Sequence, residues 1–272
     1  MSLWLLNHFG TFVLSVLMVG VIVGAAVAGS IAARRRYPHL AQGEHNEMVG
    51  VVLGMFGAIY GIILAFVVVT LWTQLDHTQS VVAAEATDLA VVVRSSRAFP
   101  PAEQAAVDRA VGTYVHSVVE VQWPLMRDGS PDYSATSRNV EAIYDALQSY
   151  EPVTERQQAF YEEAVSHLND AVGQRRERIN LATTRLPTLL ELLVFGGALV
   201  IVALTFLFGL RSLRMQLLFV GSVATLIGFS LLLVLVLDRP FAGELSVTPG
   251  VYKEAALAKF WPDGDGAVAN GR

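Results

Sequence analysis

The chain contains no cysteine. That excludes a disulfide framework, thiolate nucleophiles and cysteine-based metal sites, and it fits either side of a membrane. Lysine is nearly missing too: Lys253 and Lys259 stand against seventeen arginines, a bias that suits a GC-rich bacterial genome and carries no mechanism. Charged residues make up 16% of the chain, against about 25% in an ordinary soluble domain. Catalytic signatures are lacking as well. There is no nucleophile motif, phosphate loop or HExxH, and the histidines, His45 included, are scattered rather than spaced for a metal. The expectation is therefore a chain with no catalytic residues, no metal site and no cofactor.

The shortage of charge is concentrated in four stretches, 9–33, 48–72, 186–210 and 216–237. Each reaches the roughly 20 apolar residues that cross about 30 Å of hydrocarbon. The first is too long for the apolar part of a secretory signal, and Arg34–Arg36 follow it, as expected of a retained span. Segment 73–185 holds most of the acids and bases, and 238–272 forms a tail. The predicted fold is an all-α integral membrane protein, with four transmembrane helices and a helical-bundle domain between spans 2 and 3.

Orientation follows the arginines of the short loops. Arg34–Arg36 follow the first span, and Arg211 and Arg214 lie between the third and fourth. Arg175, Arg176, Arg178, Arg185 and Arg239 balance them numerically, but most belong to a long domain, which crosses largely regardless of charge. The expected site is the bacterial inner membrane, with termini and middle domain extracytoplasmic.

Segment 73–185 reads as four amphipathic helices. Val82, Ala86, Leu89 and Val93 continue the second span without a breaker until Pro100-Pro101. Val107, Val111, Tyr114, Val118, Val121 and Leu125 form a second stripe, ended or kinked at Pro124. Val140, Ile143, Tyr144 and Leu147 mark a third. Phe160, Ala164, Leu168, Ala171, Arg175, Ile179, Ala182 and Leu186 mark a fourth, expected to feed through Pro187 into span 3. In the tail, YKEAALAKFW suits a membrane surface and PDGDGAVANGR reads as disordered.

The second span carries Gly50, Gly54, Gly57 and Gly61 at intervals of four, three and four, continued by Ala65 and Val68. That spacing puts them on one seam. Helices in lipid associate through close packing, which small residues permit. The seam fits packing on another span of the same chain. It equally fits a position near a symmetry axis, against other copies or lining a conduit. Before it, Glu44, Asn46 and Glu47 give an acidic helix start, suited to capping or, in an oligomer, to a ring at the cytoplasmic mouth. Glu85 and Asp88 on the helix leaving span 2, with Arg175, Arg176 and Arg178 on the helix approaching span 3, form a membrane-proximal charge cluster. It reads either as an ion-paired clamp or as a basic ring. Glu191 reads as an interfacial acid near Arg185, and Asp238 and Arg239 sit at the end of span 4.

The segments GEHNEMVGVVLGMFGAIYGIILAFVVVTLW, EATDLAVVVRSSRAFP, WPLM, LNDAVGQRRERI and LDRPFAGELSVTP resemble the bacterial bestrophin-like domain family. A more distant likeness runs to true bestrophins, pentameric anion channels in which the second span lines the pore. The likeness implies a homo-oligomer, a pentamer by analogy, with the glycine seam near the conduit. Bestrophins differ in narrowing the pore with bulky apolar residues and in keeping the middle domain cytoplasmic. The expected function is a pore-forming homo-oligomer, an ion channel. The alternative is a non-conducting membrane module that senses the envelope or binds a partner. Expected partners are the lipid bilayer, further copies and inorganic ions, and not nucleic acid.

Overall fold

A computed structural model describes residues 10–38 and 45–261, with Asn7 and Gly43. The described residues form helices and turns, without strands. The helices are α1 (Thr11–Arg36), α2 (Asn46–Ser95), α3 (Pro101–Ser117), α4 (Trp123–Arg127), α5 (Ser134–Gln148), α6 (Glu155–Thr183), α7 (Thr188–Leu207) and α8 (Leu213–Leu237). Among the described residues, four apolar stretches, in α1, α2, α7 and α8, are long and apolar enough to cross a membrane. The chain divides into two compact units. One comprises Met1–Gln74, Arg185–Arg239 and Gly243–Leu245; the other comprises Leu75–Thr184, Pro240–Ala242 and Ser246–Arg272.

α2 runs unbroken for 50 residues despite its glycines. In hydrocarbon no water competes for the peptide groups, so the helical hydrogen bonds hold where glycine would weaken them in water. The helix stops ahead of Pro100 and Pro101, and Pro101 opens α3, where its missing N–H costs nothing. A capping box starts α6: the Thr154 side chain accepts from the Gln157 N–H, and Gln157 Oε1 accepts from the Thr154 N–H. α6 does not pass through Pro187 as the sequence suggested. Residues 184–187 are extended, because proline disfavours a helical residue before it and has no N–H to continue the ladder.

In the apolar unit α8 is the inner helix: half of its apolar stretch is buried, against 6% for α2. α8 packs on α1 through Ala26, Val220 and Ala224, flanked by Ile22, Val202 and Phe206. Polar pins hold one end of this bundle. Arg34 donates to the carbonyls of Leu210 and Arg211 at 2.8 and 2.9 Å and to Gln216 Oε1 at 2.6 Å. Gln216 in turn donates to Ser30. Two of these bonds satisfy carbonyls in the loop between α7 and α8 that no helix would otherwise occupy. At the other end Glu244 accepts the Thr11 N–H, capping α1.

The polar unit has its own core, with Val92, Val107, Val111, Val115, Ile143 and Leu168 at most 1% exposed. The chain after α3 departs from the predicted stripe. Residues Val118–Gln122 form a π-helical turn, which widens the helix ahead of Pro124 and shifts the register by one residue. Gln122 and Met126 therefore point inward, and Val121 turns out at 49% exposure. The tail also differs from expectation. Residues Pro249–Lys253 and Ala255–Phe260 form 3₁₀ turns that bury Tyr252 and Leu257 within this unit. The Phe260 ring fills the space beside Gly112, His116 Nε2 lies 3.0 Å from the Phe260 carbonyl, and Lys259 pairs with Asp108 at 2.6 Å. The amphipathic stretch thus has a protein surface for its apolar face. The stretch read as disordered, 262–272, lies outside the described residues.

Candidate functional site

The four groups of residues singled out in the sequence meet different fates. The seam on α2 is open. Among the described residues, a Cβ built on Gly54, Gly57 or Gly61 meets nothing within 4 Å, and one on Gly50 meets only Phe208, at 3.7 Å. Ala65 is exposed and Val68 half-buried. The covered side of α2 is a neighbouring strip through Val49, Val67 and Leu71, with Tyr60 half-buried on it. The glycines that bring helices together within the chain are others. Gly29 receives the Phe206 ring, Gly197 the Tyr60 ring, and Gly228 the backbone of Val19. Tyr60 also donates to the Val194 carbonyl at 3.1 Å.

At the start of α2, the Asn46 amide is fully engaged. Its Nδ2 donates to the Gly209 carbonyl at 2.7 Å, and its Oδ1 accepts the Gly209 N–H at 2.8 Å. Glu47 is exposed on the first turn, and Glu44 lies outside the described residues. At the end of α8, Asp238 accepts the Leu186 N–H at 2.7 Å and has Arg239 beside it at 3.6 Å. Glu191 is exposed in the first turn of α7.

The charge cluster divides. Glu85 and Arg178 are both fully buried and form a two-point ion pair, with Nε to Oε2 at 2.7 Å and Nη2 to Oε1 at 3.2 Å. Tyr114 donates to Glu85 Oε1 at 2.6 Å. Arg178 donates further to Gln122 Oε1 at 2.9 Å, and its guanidinium carbon lies 5.9 Å from the Trp123 ring. Gln122 receives a bond from Thr136, which accepts from Arg175; Arg175 also donates to the Tyr133 carbonyl. Asp88 meets His167 at 2.9 Å rather than an arginine, and Arg176 is exposed.

The electrostatics follow from burial. Desolvation alone would lower the Arg178 pKa, but the Glu85 carboxylate holds it above the usual arginine range. Burial first, and Glu85 second, push the phenols of Tyr114 and Tyr252 well above their ordinary value. The Tyr252 hydroxyl sits near that carboxylate without a hydrogen bond of ordinary geometry. Gln122 and Tyr252 were not singled out from sequence, and Tyr114 was read only as part of an apolar stripe. The one available signal was Pro124 two residues past Gln122, which marks where the helical register can slip.

These features define a multi-pass membrane protein built on four apolar helices. The family model for the bestrophin-like domain matches residues 20–252, and the chain belongs to that family. No curated protein and no solved structure matches it.

Proposed function

We propose that the protein is the subunit of an ion-conducting homo-oligomer, in which the α2 seam faces other copies or the conduit between them. The open strip at Gly54, Gly57 and Gly61 carries this reading. In lipid, a helix gains from a side-chain-free strip when another backbone approaches it, and among the described residues nothing approaches these three positions. The bestrophin likeness gives five as the expected copy number and an inorganic ion as the cargo. The bestrophin-like family favours a bacterial inner membrane, and the loop arginines favour an orientation with both termini and the polar unit outside the cytoplasm. Particle mass and symmetry of the purified protein, with ion flux after reconstitution, test the reading. A ring with α2 innermost and measurable flux supports it; a monomer, or a ring without flux over a range of salts and pH, overturns it.

The second reading, a non-conducting module that binds a partner or senses the envelope, draws on the charge cluster. Glu85 and Arg178 are buried against each other and Arg175 against Thr136 and Tyr133, so they offer no ring of free charge to passing ions. Assembly without flux is the outcome that favours it.

A further inference from the structure

The polar unit brings together three metal-ligating side chains that local spacing does not reveal. Asp88 lies on α2; His167 and Asp170 lie three residues apart on α6, hence on one face. One ligand atom from each falls within 4.8 Å of the other two, and His167 Nδ1 is 2.9 Å from Asp88 Oδ1. Donors bound to one zinc ion at about 2.0–2.2 Å in a tetrahedron stand about 3.3–3.6 Å apart. The His167–Asp88 pair, at 2.9 Å, needs to open by only about 0.5 Å to reach it. The remaining closure, up to about 1.5 Å, falls to Asp170, whose side chain is exposed. Asp88 and His167 are sheltered, at 15% and 33% side-chain exposure. An ordinary ion pair accounts for two of these groups and leaves the convergence of the third unexplained.

We propose that Asp88, His167 and Asp170 bind a divalent transition ion, with zinc the best match. An imidazole with two carboxylates suits zinc or manganese, whereas calcium and magnesium prefer all-oxygen shells. Two carboxylates and a neutral imidazole balance the ion's charge. The ion takes the place of the hydrogen between Nδ1 and Asp88, and the imidazole then carries its proton on Nε2. Its open side keeps water, and the bound ion ties α2 to α6 within the polar unit. The site is independent of whether the protein conducts.

The test uses the full-length protein in detergent, stripped with a chelator and titrated with zinc, manganese, calcium and magnesium. Bound metal per chain is measured by elemental analysis and Tm by thermal unfolding. The expected result is one zinc per chain and a Tm raised by several degrees at about hundredfold excess over Kd, with no comparable response to calcium or magnesium. Asp170→Asn should keep the metal-free Tm, because its side chain is exposed, and weaken zinc binding at least about tenfold. His167→Gln should weaken it likewise. No uptake by the unaltered protein, equal uptake by the Asp170→Asn variant, or a preference for calcium overturns the site.

Discussion

Tyr60 and Gly197 interlock: the Tyr60 ring lies 2.6 Å from the point a Cβ on residue 197 would occupy. The absence of a side chain on α7 is what admits the ring from α2, and the Tyr60 hydroxyl then reaches the Val194 carbonyl. Gly197→Val should force the ring out and cost about 1–3 kcal/mol, as overpacking does. Tyr60→Phe keeps the packing and removes one hydrogen bond, a loss of about 0.6 kcal/mol. Thermal or denaturant unfolding in detergent should rank the valine variant as the less stable; the reverse order would mean that the hydrogen bond, not the fit, joins these helices.

The seam one strip away behaves oppositely. Among the described residues, nothing opposes a side chain at Gly54 or Gly57. Gly54→Leu and Gly57→Leu should therefore insert and fold as single chains, yet lose assembly, because bulk there holds other helices apart. Mass measurement in mild detergent reads the result directly. Unchanged mass for both variants rejects the seam as a contact between copies.

The contrast between these two sets of glycines also marks how far the sequence could be read. Long charge-free runs are a property of each segment alone, so four spans were legible. Regular spacing drew attention to Gly50, Gly54, Gly57 and Gly61. The close contacts of Gly29, Gly197 and Gly228 depend on Phe206, Tyr60 and Val19 from other helices, and no local pattern announces such pairings. Val121 was misread because periodicity assumes an unbroken helix, and the π turn ahead of Pro124 adds a residue. Glu85 and Arg178 were recognisable as charges on two helices, but Tyr114 and Gln122 became visible as their partners only when the chain was folded. The tail's amphipathic pattern looks the same whether lipid or protein covers it; Tyr252 and Leu257 are covered by protein.

The Glu85–Arg178 pair gives a prediction that separates burial from attraction. Removing one partner strands a charge in a dry core, so Arg178→Met should cost about 3–5 kcal/mol. The same change combined with Glu85→Met leaves no stranded charge and should recover much of that loss. Denaturant unfolding of the two single variants and the double variant completes the cycle. A double variant no more stable than Arg178→Met would show that the wider hydrogen-bond network, through Tyr114 and Gln122, matters more than the charge balance.

Alkaline pH should loosen the polar unit before the tyrosines in its core ionise. Tyr114 and Tyr252 are held protonated in the folded protein well above their ordinary value of about 10. Below pH 10 both phenols are protonated whether the chain is folded or not, so their contribution to stability is fully present. Above it the unfolded chain releases these protons and the folded chain does not, so stability falls as pH rises, by about 1.4 kcal/mol per pH unit for each phenol. Tyrosinate absorbance from these two residues should therefore appear together with unfolding, not before it. Tyr252→Phe should change little at neutral pH, since the hydroxyl has no good hydrogen bond to lose, and should flatten the alkaline slope by one phenol's share. Ionisation of Tyr252 in a chain that stays folded would mean that its hydroxyl reaches water, and that the tail does not seal this core.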